Sequence, residues 1–127
     1  MTELLKTLQQ YPKTWKKFEK WFTAQSYGYW INKSGALCAN TNGEPPTTYK
    51  LIGLLTDFCD GEGYYVYVYP IKGQDGHYWH YAINFEDGSR FFSAEKLKLE
   101  DEIKPFDSRQ EAFEQGIIKA FSLMENK

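Results

Sequence analysis

Residues 64–92, YYVYVYPIKGQDGHYWHYAINFEDGSRFF, constrain this chain more than any other stretch. They hold its densest concentration of β-branched and aromatic residues, the types that fit a pleated, half-buried surface. A strand repeats every two residues. Tyr65, Tyr67 and Tyr69 therefore share one face, and Tyr64, Val66 and Val68 the other. The valine face is the expected core side, because a fully buried tyrosine must find a partner for its hydroxyl. Pro70 donates no hydrogen bond, so it either ends the ladder or sits on an edge strand.

Gly73-Gln74-Asp75-Gly76 predicts a turn. A second strand over 77–85 follows, with His77, Trp79, Tyr81, Ile83 and Phe85 on one face and Tyr78, His80, Ala82 and Asn84 on the other. Glu86-Asp87-Gly88-Ser89 predicts the next reversal, and residues 90–93 a short third strand. The product is an antiparallel meander with one apolar face and one aromatic, partly polar face.

Amphipathic segments flank this sheet. Leu4, Leu5 and Leu8 mark a short opening helix, which Tyr11-Pro12 interrupts. Pro12 suits the first turn of a second helix over 12–24, where its missing amide hydrogen costs nothing. Trp15, Phe18 and Phe22 form the apolar stripe of that helix, and Trp21 extends it. Tyr29-Trp30-Ile31 reads as an edge strand that could join the meander, with 36–39 pairing back as a hairpin arm. Residues 40–46, NTNGEPP, form the longest loop candidate, a plain connector or a recognition loop. Thr47 or Thr48 should cap a third helix, a buried one carrying Leu51, Ile52, Leu54, Leu55, Phe58 and Cys59. Gly53 inside it is unfavourable by about 1 kcal/mol relative to Ala. A close helix–sheet contact would explain it, and so would chance. Residues 94–99 could form a helical turn and then an extended segment, and Glu100-Asp101-Glu102 an acidic surface run.

The last helix has the clearest start. Ser108 and Glu111 form a capping box, and Phe106 is placed to staple onto Ala112. Ala112, Gly116 and Ala120 make a small-residue line that would let the helix approach a sheet, or a second copy, closely. The sequence thus predicts a single α+β domain over residues 1–127. Its sheet is a small antiparallel meander of three to five strands packed against amphipathic helices, with a long C-terminal helix.

A chain of 127 residues with 42% hydrophobic content is long enough for one core without staples. The formal charge of −2 makes no general case for nucleic acid, although its distribution is uneven. Residues 1–33 carry six Lys and two Glu, a balance of +4, and the remainder carries −6. Nothing at the start resembles a signal peptide, and no stretch reaches the length of a membrane span. A cytoplasmic protein with reduced thiols, monomeric or homodimeric, is the expectation, and a disulfide between Cys38 and Cys59 the lesser alternative.

No catalytic constellation emerges. His77 and His80 lie three apart in a strand and so point to opposite faces, which argues against a joint metal site. His80 reads as an aromatic-like residue at the sheet surface. Asp57, Asp60 and Glu62 cluster at a helix end without an ion-binding pattern. Nucleotide-binding and nucleophile-elbow motifs are absent, and no cofactor is implied.

The aromatics are the remaining functional signal: 10 Tyr, 9 Phe and 4 Trp. Packing accounts for most of them. A surface lined by Tyr65, Tyr67, Tyr69, Tyr78 and Trp30 could nonetheless receive a peptide or another subunit. The leading expectation is a small non-enzymatic protein-binding or adaptor domain. Single-stranded nucleic-acid binding is the first alternative, with Lys13, Lys16 and Lys20 of the second helix holding phosphates beside stacking tyrosines. A solvated helix face is the plainer account of those lysines. A small hydrolase-like enzyme is the second alternative.

Overall fold

The computed structural model describes residues 2–24, 29–31, 37–39, 48–73, 76–93 and 106–127. Helices α1 (Thr2–Leu8), α2 (Pro12–Ala24), α3 (Thr48–Gly61) and α4 (Arg109–Glu125) accompany strands β1 (Tyr29–Ile31), β2 (Leu37–Ala39), β3 (Tyr64–Gly73), β4 (Gly76–Phe85) and β5 (Arg90–Phe92). The class is α+β, with helices packed on an antiparallel sheet. The residues gather into two compact units, 1–58 with 121–127, and 59–120. Helices α3 and α4 each contribute residues to both.

The first unit is built on rings. Tyr11 caps α2 by accepting from the Trp15 amide at 2.8 Å, and Pro12 fills the first helical position, as its fixed φ favours. Trp15, Phe18 and Phe22 then fall on one buried stripe. Phe18 is fully buried, with centroids of Trp15, Phe22 and Phe58 at 5.4–5.6 Å and Phe121 at 6.2 Å. Several of these pairs are tilted or edge-on, the geometry that ring quadrupoles favour. Leu51, Leu54 and Leu55 of α3 and the α1 leucines are buried too.

A long-range cap completes this unit. The Glu125 carboxylate accepts from the Lys13 amide (3.2 Å), the Thr14 amide (2.9 Å) and the Thr14 hydroxyl (3.0 Å). Three donors at the amino end of α2 are thereby answered by one anion, where the helix dipole also favours it. Desolvation opposes ionisation of Glu125, but these bonds and the Lys13 charge win, and its pKa lies below the usual carboxylate value.

The second unit holds the meander, in the order β3-β4-β5. Tyr64 pairs with Phe85 and Gly73 with Gly76, so the ladder runs straight past Pro70. The reason lies in the alternation of hydrogen bonding. Trp79, Tyr81 and Phe85 aim their backbone groups at the β5 side, so Pro70, opposite Trp79, has its nitrogen on the outer edge of β3, where a missing donor costs no ladder bond.

The other edge of β4 is closed in three ways. Residues 82–84 pair with β5. At Tyr81 the Ser93 hydroxyl takes over from backbone, accepting from the amide and donating to the carbonyl, both at 3.0 Å. At Trp79 the partner is Phe106, through two backbone bonds of 2.9 and 3.0 Å. Phe106 also stacks on Tyr81, with centroids 6.0 Å apart. Phe106 is thus held by the sheet through both its backbone and its ring. The β4–β5 reversal is a tight turn with Gly88 at φ +91° and Asp87 accepting from both the amide and hydroxyl of Ser89.

Helix α4 starts as its capping box predicts, with the Ser108 hydroxyl accepting from the Glu111 amide at 3.1 Å. It packs on the valine face of the meander at Gly116. A Cβ there would lie 2.7 Å from Val66 Cγ1 and 3.2 Å from Tyr81 Cβ, so only glycine permits the approach. Tyr64, Val66, Tyr81 and Ile83 on that face are buried, and burial pushes the Tyr81 hydroxyl up to about 12.

Two expectations change. Residues 29–31 do not join the meander; β1 pairs with β2 as a separate antiparallel hairpin. Gly53 makes no close contact: it is exposed, with open space where its Cβ would be. Helix α3 runs through Gly61, and the chain then turns with Gly63 at positive φ. The expectations for residues 40–46, Thr47, the Thr48 side chain and residues 94–102 lie outside the described residues.

Candidate binding face

Parity and register together build one face of the meander. The β3–β4 pairing sets Tyr65 opposite Asn84, Tyr67 opposite Ala82, Tyr69 opposite His80 and Ile71 opposite Tyr78. On the far side of β4, Ala82 faces Phe92 and Asn84 faces Arg90. The result is a ringed surface opposite the one on which α4 packs. Tyr65 is 41% exposed, and Tyr67, Tyr69, Tyr78 and Phe92 are half-buried.

The rings support one another. Tyr69 lies 6.3 Å from Tyr67, stacks on the His80 imidazole at 5.9 Å, and meets Phe92 edge-on at 6.4 Å. His80 is only 4% exposed. It is aromatic-like, as expected, but buried beneath this cluster rather than lying at the surface. Burial lowers its pKa, so at neutral pH the ring is uncharged.

Ser93 Oγ lies 3.5 Å from His80 Nδ1. The Ser93 hydroxyl makes its shorter bond, at 3.0 Å, by donating to the Tyr81 carbonyl. Ser93 thus clips the edge of β4 at Tyr81. At the other end, Asn84 Oδ1 is buried without a hydrogen-bond partner.

Four of the sequence-derived site residues, Tyr65, Tyr67, Tyr69 and Tyr78, share this face. Trp30 belongs to the β1–β2 hairpin of the first unit, and its side chain lies outside the described residues. Lys13, Lys16 and Lys20 are exposed on α2, also in the first unit. The sequence reading already grouped His80, Ala82 and Asn84 with Tyr78 but missed Phe92, Arg90 and the stacking of Tyr69 on His80. The signal was present in the turn length: closing the hairpin between Gly73 and Gly76 sets every cross-strand pair.

Asp57, Asp60 and Glu62 are exposed, and among the described residues no group of three or more potential ligands is placed to hold a metal ion. Cys59 is a free, buried thiol. Burial foremost, then the Asp60 and Glu62 charges, raise its pKa, so it is held as an unreactive thiol. No helix of the described residues is long and apolar enough to cross a membrane. No protein-family model matches the chain, and neither the curated proteins nor the solved structures contain a significant match.

Proposed function

We propose that this protein is a cytoplasmic binding module that captures another protein on its tyrosine face. The observation that carries this reading is the partial exposure of Tyr65, Tyr67, Tyr69, Tyr78 and Phe92 on the face opposite α4. Rigid aromatics lose little side-chain freedom on binding and supply large contact areas, which is why interface anchors are enriched in them. Their mutual stacking holds this surface pre-organised, so a partner meets little ordering cost. Nucleic acid fits the face less well. Arg90 is the one cation that the strand register puts there, whereas single-strand grooves line the backbone path with several.

The test compares wild type with Tyr65→Arg and Tyr67→Ser as affinity baits, each variant first shown by circular dichroism to keep the wild-type fold. Proteins retained by wild type and lost from both variants support the reading. An identical set on all three baits refutes it.

A further inference from the structure

Strand β3 is an open edge. It stands first in the order β3-β4-β5, and among the described residues nothing pairs with its outer side. Tyr65, Tyr67, Tyr69 and Ile71 exchange their backbone bonds with β4, so the residues between them turn their amides and carbonyls outward. Tyr65 and Pro70 are exposed and Tyr67 and Val68 half-buried, so the edge reaches solvent. Edges of soluble sheets are ordinarily blunted by charge, by a bulge or by proline. Here no bulge interrupts the register from Tyr64 to Gly73, and no charge falls between Glu62 and Lys72. Pro70 removes a single donor near the far end, and Val66 and Val68 keep both groups.

The two ends of this uncharged run differ in sign. Glu62 is exposed just before the strand. The exposed Glu86 lies beside it, with its amide on the Gly63 carbonyl at 3.2 Å. The exposed Lys72 stands at the other end. A second copy running antiparallel answers this pattern, because opposite charges then meet at both ends. A parallel copy in register would set like charges together.

We infer that β3 pairs antiparallel with β3 of a second copy, about a two-fold axis at Tyr67, and joins the two meanders into one continuous sheet. Val66 and Val68 then exchange backbone bonds with Val68 and Val66 of the second copy. Tyr67 stands opposite its own counterpart and Tyr65 opposite Tyr69, which are aromatic cross-strand pairs. This register alone sets Glu62 directly opposite Lys72. The inference goes beyond the capture of a partner protein. Pairing occurs in the plane of the sheet, so the rings stay open on one side and form a face of doubled width.

Sedimentation equilibrium of the full-length chain over a concentration series tests it. Wild type is expected as a dimer in equilibrium with monomer. Val68→Pro removes an outward amide that the ladder to β4 does not use, and shifts the protein to monomer. Glu62→Lys and Lys72→Glu each weaken dimerisation about tenfold, since each acts at both ends of the symmetric pair. The double variant regains wild-type affinity. Under oxidation Tyr67→Cys gives a disulfide-linked dimer that wild type does not, because directly opposed residues without backbone bonds bring their Cα atoms to about 4.5 Å. Glu62 and Lys72 are exposed, so their variants keep the test decisive even if the proline is not accommodated.

A wild type that stays monomeric throughout overturns the inference. So does a dimer that survives both single charge reversals, or one that the double variant fails to restore. If wild type is monomeric yet retains another protein that Val68→Pro loses, the edge takes a foreign strand and the second copy is excluded.

Discussion

Two glycines show how differently one residue type can be used. Gly53 and Gly116 both interrupt helices whose sequences read as buried. Around Gly53 there is open space, so Gly53→Ala adds helix propensity without a clash. Thermal or urea unfolding of that variant should show a gain of about 1 kcal/mol. At Gly116 the same methyl would meet Val66 and Tyr81 well inside contact distance. Gly116→Ala should lose about 1–3 kcal/mol, the usual range for overpacking. A gain at Gly116 would mean that α4 does not seat on the valine face. The small-residue line at 112, 116 and 120 already pointed to a close approach at Gly116, whereas spacing left Gly53 open. Gly53 occupies the one exposed position amid a nearly continuous apolar run, and only the contacts show the space beside it.

Elements here are finished by residues far away in sequence. The amino end of α2 is capped by Glu125, 111 residues from Thr14. An ordinary motif search looks three positions downstream of a cap and misses it. Its depressed pKa gives the effect a sign. Hydrogen bonds favour the carboxylate in the folded state, so the contribution is fully present above the usual glutamate value of about 4.3. It is lost as pH falls through the lower folded value. Glu125→Gln should therefore melt several degrees below wild type at pH 7, with the gap closing below about pH 4. An equal gap at both pH values would show that the anion is not the active feature. By contrast, the amino end of α4 was fully legible, because its cap and first turn are adjacent in sequence. Strand β5 and Phe106 lie between these cases. The short β strand was readable from the turn before it, but the capture of Phe106 by Trp79 depends on where the chain returns.

For the whole molecule, helices α3 and α4 matter most, since each supplies residues to both compact units. Separate melting of the units would require both helices to break internally. Scanning calorimetry should accordingly give one transition with calorimetric and van't Hoff enthalpies in agreement, as a single domain requires. Two resolved transitions would make the units independent. By itself the sequence determined the secondary elements, the parity of the strands and the meander order, because these follow from local propensity, two-residue alternation and turn chemistry. It could also say that Tyr65, Tyr67 and Tyr69 share a face. Tertiary structure alone decided which helix covers the valine face, that residues 29–31 pair away from the meander, and that His80 lies beneath Tyr69. The physical reason is common to all three. Each depends on which apolar surface a distant segment finds to bury, a choice made by packing between elements and written in no single stretch of the chain.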